Sequence, residues 1–276
     1  MTKQRFPEVT LNNKILVPQL GLGVWQSREG GEVERAIACA FDVGYRSIDT
    51  AAIYENERGV GAAISNSGIS RDEIFVTSKV WNSDQGFDRT IGAFGKSLKL
   101  LGLEYLDLYL VHWPVAGKFN ETWKALEQLY RKKKVRAIGV SNFFTHHLED
   151  LLQEAEVIPA VNQIEFHPYL IQQHLFDFCV EKNISLEAWS PLMQGKFTEI
   201  GKFDEIALKY NKTAAQVLLR WHLQRGVIII PKSVNKLRIK ENAAIFDFSL
   251  SEEEMAQINK LDKNYRFGPD PDNFDF

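Results

Sequence analysis

Residues 104–142 read EYLDLYLVHWPVAGKFNETWKALEQLYRKKKVRAIGVSN. They hold a short apolar run, Leu106–Val111, then a helical pattern over Thr122–Lys132, then a second apolar run, Arg136–Val140. A strand, a helix and a strand in that order imply two parallel strands joined by a crossover. Working outward, the same unit recurs. Further strands are expected at Gly21–Val24, Arg46–Ile48, Ile74–Thr77, Ala160–Ile164, Ser185–Ala188 and Val227–Ile230. Helices are expected at Glu32–Asp42, Arg58–Ser67, Phe87–Leu101, His146–Glu154, Gln172–Lys182 and Thr213–Gln224. In the last of these, Ala214, Val217, Leu218 and Trp221 share one face. Eight such units predict an α/β fold, a (β/α)8 TIM barrel. A doubly wound sheet is the alternative that the alternation alone leaves open. A hairpin, Val9–Leu11 and Ile15–Val17 about Asn12-Asn13, comes first. A helix start at Asn235–Ala244, an extra helix near Ser251–Leu261 and a polar, proline-containing tail come last. No linker or low-complexity run divides the chain, so residues 1–276 are read as one barrel domain.

Composition narrows the function. The chain is 45% hydrophobic and 25% charged with a net charge of −3, which suits a globular protein and lacks the basic surplus of a nucleic-acid binder. The basic run Arg131–Lys134 follows Glu121 and Glu127 and reads as a solvated helix end. No apolar stretch approaches the ~18 residues of a membrane span. The opening Met1–Phe6 lacks the apolar run of a signal peptide, so a cytoplasmic protein is expected. Cys39 and Cys179 are too few for a disulfide scaffold and are expected as buried thiols; no metal site is expected.

In such a barrel, functional groups stand at the carboxyl ends of the strands. The residues there are Trp25; Asp49 and, after a short turn, Tyr54; Lys79 and Trp81; His112 and Trp113; Ser141 and Asn142; Gln163 and Glu165; Trp189 and Ser190; Lys232 and Ser233. Asp49, Tyr54, Lys79 and His112 come from three neighbouring strands and can converge. A carboxylate beside a lysine keeps the lysine charged. That lysine is expected to lower a neighbouring tyrosine from its usual pKa of ~10. Such a tyrosine can protonate a developing alkoxide, and a histidine can orient the carbonyl. The set suits proton transfer coupled to hydride transfer. Each member also has a plainer role: Asp49 a turn cap, Lys79 an ion-pair partner, His112 a core histidine, Tyr54 a wall.

No dinucleotide fingerprint is present, because Gly21-Leu22-Gly23 lacks the third glycine and Gly59-Val60-Gly61 lacks a preceding strand. The better anion site is Ile229-Ile230-Pro231-Lys232-Ser233, which closes the eighth strand before a helix start. Loops after the seventh and eighth strands, and helix amino ends, favour phosphate. Arg238 would lie one turn into that helix, with Glu241 and Asn242 able to hold an adenine amino group.

Five motifs now stand out: Gly44-Tyr-Arg-Ser-Ile-Asp-Thr-Ala-Ala-Ile-Tyr54, Leu108-Tyr-Leu-Val-His-Trp-Pro114, Gly139-Val-Ser-Asn142, Val161-Asn-Gln-Ile-Glu-Phe-His-Pro168 and Ile230-Pro-Lys-Ser233. In order and spacing they resemble the aldo-keto reductases over essentially the whole chain. Gly23-Val-Trp-Gln-Ser27, Trp81-Asn-Ser-Asp-Gln-Gly86 and the tail Gly268-Pro-Asp-Pro271 look similar to a branch of bacterial glyoxal and methylglyoxal reductases and trypanosomatid prostaglandin F synthases. The resemblance implies NADPH as cofactor and a small carbonyl compound as substrate. It implies Tyr54 as general acid, tuned by Lys79 and Asp49, with His112 orienting the carbonyl. Ser141, Asn142 and Gln163 would hold the nicotinamide carboxamide, and Trp189 would stack on its ring. Ser190, Pro191 and Leu192 would line the pyrophosphate. Lys232, Ser233, Val234 and Arg238 would surround the adenosine 2'-phosphate, with Glu241 and Asn242 near the adenine. Val24, Trp25 and Asp49 would also line the cofactor, although Val24 stands where a threonine is common, and Asn235 stands where a small hydroxyl residue is common.

The sequence thus reads as an NADPH-dependent aldehyde and ketone reductase, a monomer. Trp25, Trp81 and Trp113, with Tyr54 and His112, are expected to form an apolar, rather open substrate cup beside a short tail. It would accept aromatic aldehydes, dicarbonyls and quinones, with prostaglandin H2 a further candidate. Two rivals remain. One is a nucleotide-sensing regulatory subunit with little turnover. The other is a Schiff-base aldolase using Lys79, which would need that lysine neutral, whereas Asp49 favours the charged form.

Overall fold

A computed structural model describes residues 6–276, so most of the amino-terminal stretch read for a targeting signal lies outside the described residues. Two short antiparallel strands, β1 (Glu8–Thr10) and β2 (Leu16–Pro18), precede the barrel. The barrel strands are β3 (Leu22–Gly23), β4 (Ser47–Asp49), β5 (Phe75–Val80), β6 (Leu106–Val111), β7 (Val135–Ser141), β8 (Val161–Glu165), β9 (Ser185–Trp189) and β10 (Ile228–Ile229). They pair in parallel in sequence order from β3 to β10. The ring closes where β3 meets β10: the Gly21 N–H donates to the Ile229 carbonyl at 2.8 Å, and Ile229 N–H to the Gln19 carbonyl at 3.0 Å. Closure explains the two glycines that failed as a dinucleotide loop. A Cβ on Gly21 would lie 2.9 Å from Ser47 Oγ, and one on Gly23 2.7 Å from the Ile230 carbonyl. The glycines let two strands approach at the seam.

The helices are α1 (Gly31–Val43), α2 (Glu57–Ser65), α3 (Phe87–Leu101), α4 (Phe119–Arg131), α5 (Thr145–Glu154), α6 (Gln173–Glu181), α7 (Gly201–Tyr210), α8 (Ala214–Gln224), α9 (Lys236–Ala243) and α10 (Glu252–Asn259). Local chemistry starts α8 and α10: Thr213 with Gln216, and Ser251 with Glu254, form reciprocal capping boxes. The expected ends shift by a residue or a few, as fraying ends do. Helix α7 is the omission. Its buried Phe203, Ile206 and Ala207 have helical spacing, but Leu208, 83% exposed, interrupts the stripe.

Alternation along the strands builds two cores. Tyr109 and Val111 join the large core between strands and helices, whereas Leu108 and Leu110 face the barrel interior with Phe75, Ala137, Val161 and Ile228. The hairpin seals the amino end of that interior with Leu11 and Val17. Asn12 and Asn13 are the central residues of the turn: the Lys14 N–H donates to the Leu11 carbonyl at 2.9 Å and the Leu11 N–H to the Ile15 carbonyl at 2.9 Å, with Lys14 left-handed at φ 70°. Their side chains also pin the turn to the barrel floor, on the Pro159 and Arg136 carbonyls at 3.0 and 2.9 Å. Both cysteines are buried and free, and no described helix is long and apolar enough to cross a membrane.

Candidate active site

Residues that face the barrel interior do so at every second position, and the last of each series reaches the carboxyl rim. Phe75 and Thr77 lead to Lys79; Leu108 and Leu110 lead to His112; Val161 leads to Gln163. Lys79 is fully buried, and its Nζ donates to Asp49 Oδ1 at 2.6 Å, to the Thr50 carbonyl at 2.9 Å and to Tyr54 Oη at 3.5 Å. Gln163 Nε2 donates to the other Asp49 oxygen at 2.8 Å. The His112 ring meets the Tyr54 ring edge-on at 5.8 Å between centroids. The quartet from three strands does converge.

Charge is set by burial and pairing. Burial pulls the Lys79 ammonium down, but Asp49, with Tyr54 and Glu187 adding, outweighs it and holds the lysine above its usual value. A neutral amine, which the aldolase reading needs, is opposed by this geometry. Burial lifts the Tyr54 phenol above its ordinary 10; Lys79 opposes the rise and Asp49 adds to it. The expected net lowering by lysine is therefore corrected: lost hydration outweighs one ammonium 3.5 Å away. Burial, aided by Lys79, holds His112 well below 6.5, so its imidazole is neutral. Its Nδ1 is buried without a partner, leaving Nε2 to face the cup.

Tyr54 ends a single 3-10 turn, Ala52–Tyr54, which Glu55 closes in the left-handed region at φ 55°. Asn56, which the sequence reading passed over, fixes that turn. It is fully buried, accepts the Thr50 hydroxyl at 2.7 Å and donates to the Val24 and Ser27 carbonyls at 2.9 and 3.1 Å.

A second bonded set lies across the rim. Asn142, left-handed at φ 65°, donates to the His112 carbonyl at 2.9 Å and to Ser141 Oγ at 3.1 Å, and accepts from Trp189 Nε1 at 2.8 Å. Ser141 Oγ donates to the Gln163 carbonyl at 2.8 Å. Asn142 Oδ1 keeps a second lone pair for an incoming amide. Beyond β9, Ser190 is left-handed at φ 50°, Pro191 is buried and Leu192 is half-buried. Val24 has no accessible surface and packs in the outer core, which corrects the expectation that it reaches a cofactor.

Beyond β10, Lys232, Val234 and Arg238 are exposed, Ser233 and Asn242 are buried. Among the described residues, Lys232 and Arg238 make no ion pair, and Lys236 and Lys240 add to the positive stretch. Asn235 caps α9 by accepting from the Leu237 and Arg238 N–H groups at 2.9 and 3.2 Å. Those two donors are thus taken by the cap. Glu241 accepts the Thr213 hydroxyl at 2.6 Å, tying α9 to α8.

The cup is less open than its short tail implied. Phe276 stacks on Trp81 at 5.7 Å and 8° and meets Trp113 edge-on at 5.2 Å. Phe274 lies 5.1 Å from Trp113, and Asn82 Nδ2 holds the Phe276 carbonyl oxygen at 3.1 Å. Trp25, 49% exposed, makes no ring contact with this group. Glu165 fastens the tail's approach, accepting the Phe267 and Gly268 N–H groups at 2.7 and 3.1 Å.

Fold and rim together define a barrel enzyme of the oxidoreductase class. The sequence profile of the aldo/keto reductase family matches residues 19–263, and the chain belongs to that family. It is 56% identical to a glyoxal reductase of Bacillus subtilis, with 96% of each chain covered. It is 55% identical to a 9,11-endoperoxide prostaglandin H2 reductase of Trypanosoma cruzi over 96% of this chain and 95% of that one. A solved Bombyx mori aldo-keto reductase in complex with NADP superposes with a TM-score of 0.91 at 36% identity, covering 98% of this chain and 97% of that one.

Proposed function

We propose that this chain reduces aldehydes and ketones to alcohols with NADPH, Tyr54 being the proton donor. The observation that carries the reading is the buried relay Asp49–Lys79–Tyr54, at 2.6 and 3.5 Å, opening beside a neutral His112. The residues fit the cofactor. Trp189 offers a half-buried face, Asn142 a spare acceptor, and Lys232 and Arg238 unpaired cations suited to a phosphate. The NADP complex of the Bombyx mori relative supports the same choice. NADPH supplies the hydride.

The protein's part is proton placement. His112 Nε2 donates to the substrate carbonyl oxygen and orients it. Tyr54 is protonated at neutral pH, as any phenol titrating at or above its ordinary 10 is, so it is an acid when an alkoxide forms. Lys79 stabilises the tyrosinate left behind, and Asp49 and Gln163 hold Lys79 and each other in place. Trp81, Trp113, Phe274 and Phe276 wall the cup. The substrate class is aromatic aldehydes and small dicarbonyls, in keeping with the glyoxal reductase relative. The deciding test is Tyr54→Phe with NADPH oxidation as readout. Turnover of 4-nitrobenzaldehyde should fall by about 10²–10⁴ with NADPH affinity nearly unchanged. Near-normal turnover in the variant would refute the assignment.

A further inference from the structure

The terminal aromatic wall hangs on a clamp far from the reacting atoms. His146 and His147 open α5, and both ring Nε2 atoms reach one oxygen of Asp272, at 2.9 and 3.1 Å. Asp272 belongs to the tail. Its N–H donates to Asp270 Oδ1 at 2.8 Å, and Asn273 N–H donates to the Asp270 carbonyl at 3.0 Å. This turn sets the direction from which Phe274 reaches Trp113 and Phe276 reaches Trp81 and Trp113. Among the described residues, polar bonds from the barrel hold the tail from Phe267 onward at three places: Glu165 at Phe267 and Gly268, the histidine pair at Asp272, and Asn82 at Phe276. Between the first and the last, the clamp is the one next to the aromatic pair.

Two imidazoles and a carboxylate within 4.8 Å of one another suggest a metal site at first sight. The hydrogen bonding argues otherwise. His147 Nδ1 accepts the Phe144 N–H at 3.1 Å at the start of α5. Burial, with His146 beside it, lowers His147 to about 4, so the ring is neutral and its proton sits on Nε2. A ligating nitrogen needs a free lone pair there and a proton on the other nitrogen. In His147 the roles are reversed, and the protonated Nε2 faces Asp272 Oδ1 at 3.1 Å.

We infer that His146 and His147, by holding Asp272, are positioning residues that keep Phe274 and Phe276 over the cup and so set the preference for aromatic over small carbonyl substrates. The inference rests on the reductase reading for its kinetic half only. A tenfold shift of the tail between docked and free corresponds to about 1.4 kcal/mol, within reach of two exposed contacts to one carboxylate.

Asp272→Ala is the clean variant, since His147 also caps α5. KM for 4-nitrobenzaldehyde should rise about three- to tenfold, with kcat and the KM for glyoxal within about twofold of wild type, because only the larger substrate touches the aromatic wall. Asp272→Glu should restore most of the loss. Independently of any activity, carboxypeptidase A should release Phe276 several times faster from Asp272→Ala than from wild type or Asp272→Glu. Unchanged release and unchanged KM would overturn the inference, as would equal KM increases for both substrates. A chain that reduces no carbonyl compound but shows the faster release would refute the reductase reading and keep the clamp.

Discussion

Asn56 and Thr50 share a buried hydrogen bond of 2.7 Å that closes the turn carrying Tyr54, and the Asn56 amide ties that turn to the loop carrying Trp25. The same amide serves the Val24 and Ser27 carbonyls. Asn56→Ala would strand two buried polar groups, the Thr50 hydroxyl and the Ser27 carbonyl, while the Val24 carbonyl keeps the Ser27 N–H at 3.0 Å. Leaving such groups unpaired costs about 1–3 kcal/mol each, so a lower Tm and a fall in kcat of more than tenfold are expected. Thermal unfolding and steady-state kinetics check this; a variant with native Tm and kcat would show that the amide is dispensable.

Gly268 passes over Trp189 with no room for a side chain. A Cβ there would lie 2.3 Å from the indole Cη2. Gly268→Ala must push the indole or lift the tail, at a cost of about 1–3 kcal/mol. Because Trp189 Nε1 holds Asn142, NADPH binding should weaken and tryptophan fluorescence should shift. Wild-type cofactor affinity in the alanine variant would contradict this packing.

Glu187 is a buried carboxyl on the interior face of β9. Burial, with Asp49 adding and Lys79 opposing, pushes it up to about 8 from an ordinary 4.5. Between those two values the folded chain holds a proton that the unfolded chain has released. Stability from this group is complete below about pH 4.5 and is lost as pH rises through about 8. Glu187→Gln keeps the shape without the titration, so its Tm should fall less than that of wild type between these pH values. Parallel Tm curves would refute the prediction.

Among the described residues, Arg238 is exposed and makes no ion pair, as a phosphate ligand at a rim should be. Charge-assisted bonds contribute about 1.5–3 kcal/mol before solvent screening, so about a tenfold to hundredfold preference for NADPH over NADH is expected. Arg238→Ala should raise the KM for NADPH and leave that for NADH nearly unchanged. Equal weakening of both would place the 2'-phosphate elsewhere.

The sequence by itself determined the barrel and the members of its rim. Strand geometry points every second side chain inward, so Leu108, Leu110 and His112, or Phe75, Thr77 and Lys79, can be read as interior series without knowing any partner strand. Sequence order of the strands then made neighbours of Asp49, Lys79 and His112. What only the tertiary structure decided has no period to read. The tail's Phe276 bonds to Asn82 across 194 positions, and Asp272 to His146 across 126. Which apolar surface such a segment covers depends on what the closed barrel leaves uncovered. The direction of the Tyr54 shift was hidden for the same reason. One lysine nearby is legible in sequence, but the depth of burial that outweighs it exists only once the chain has folded.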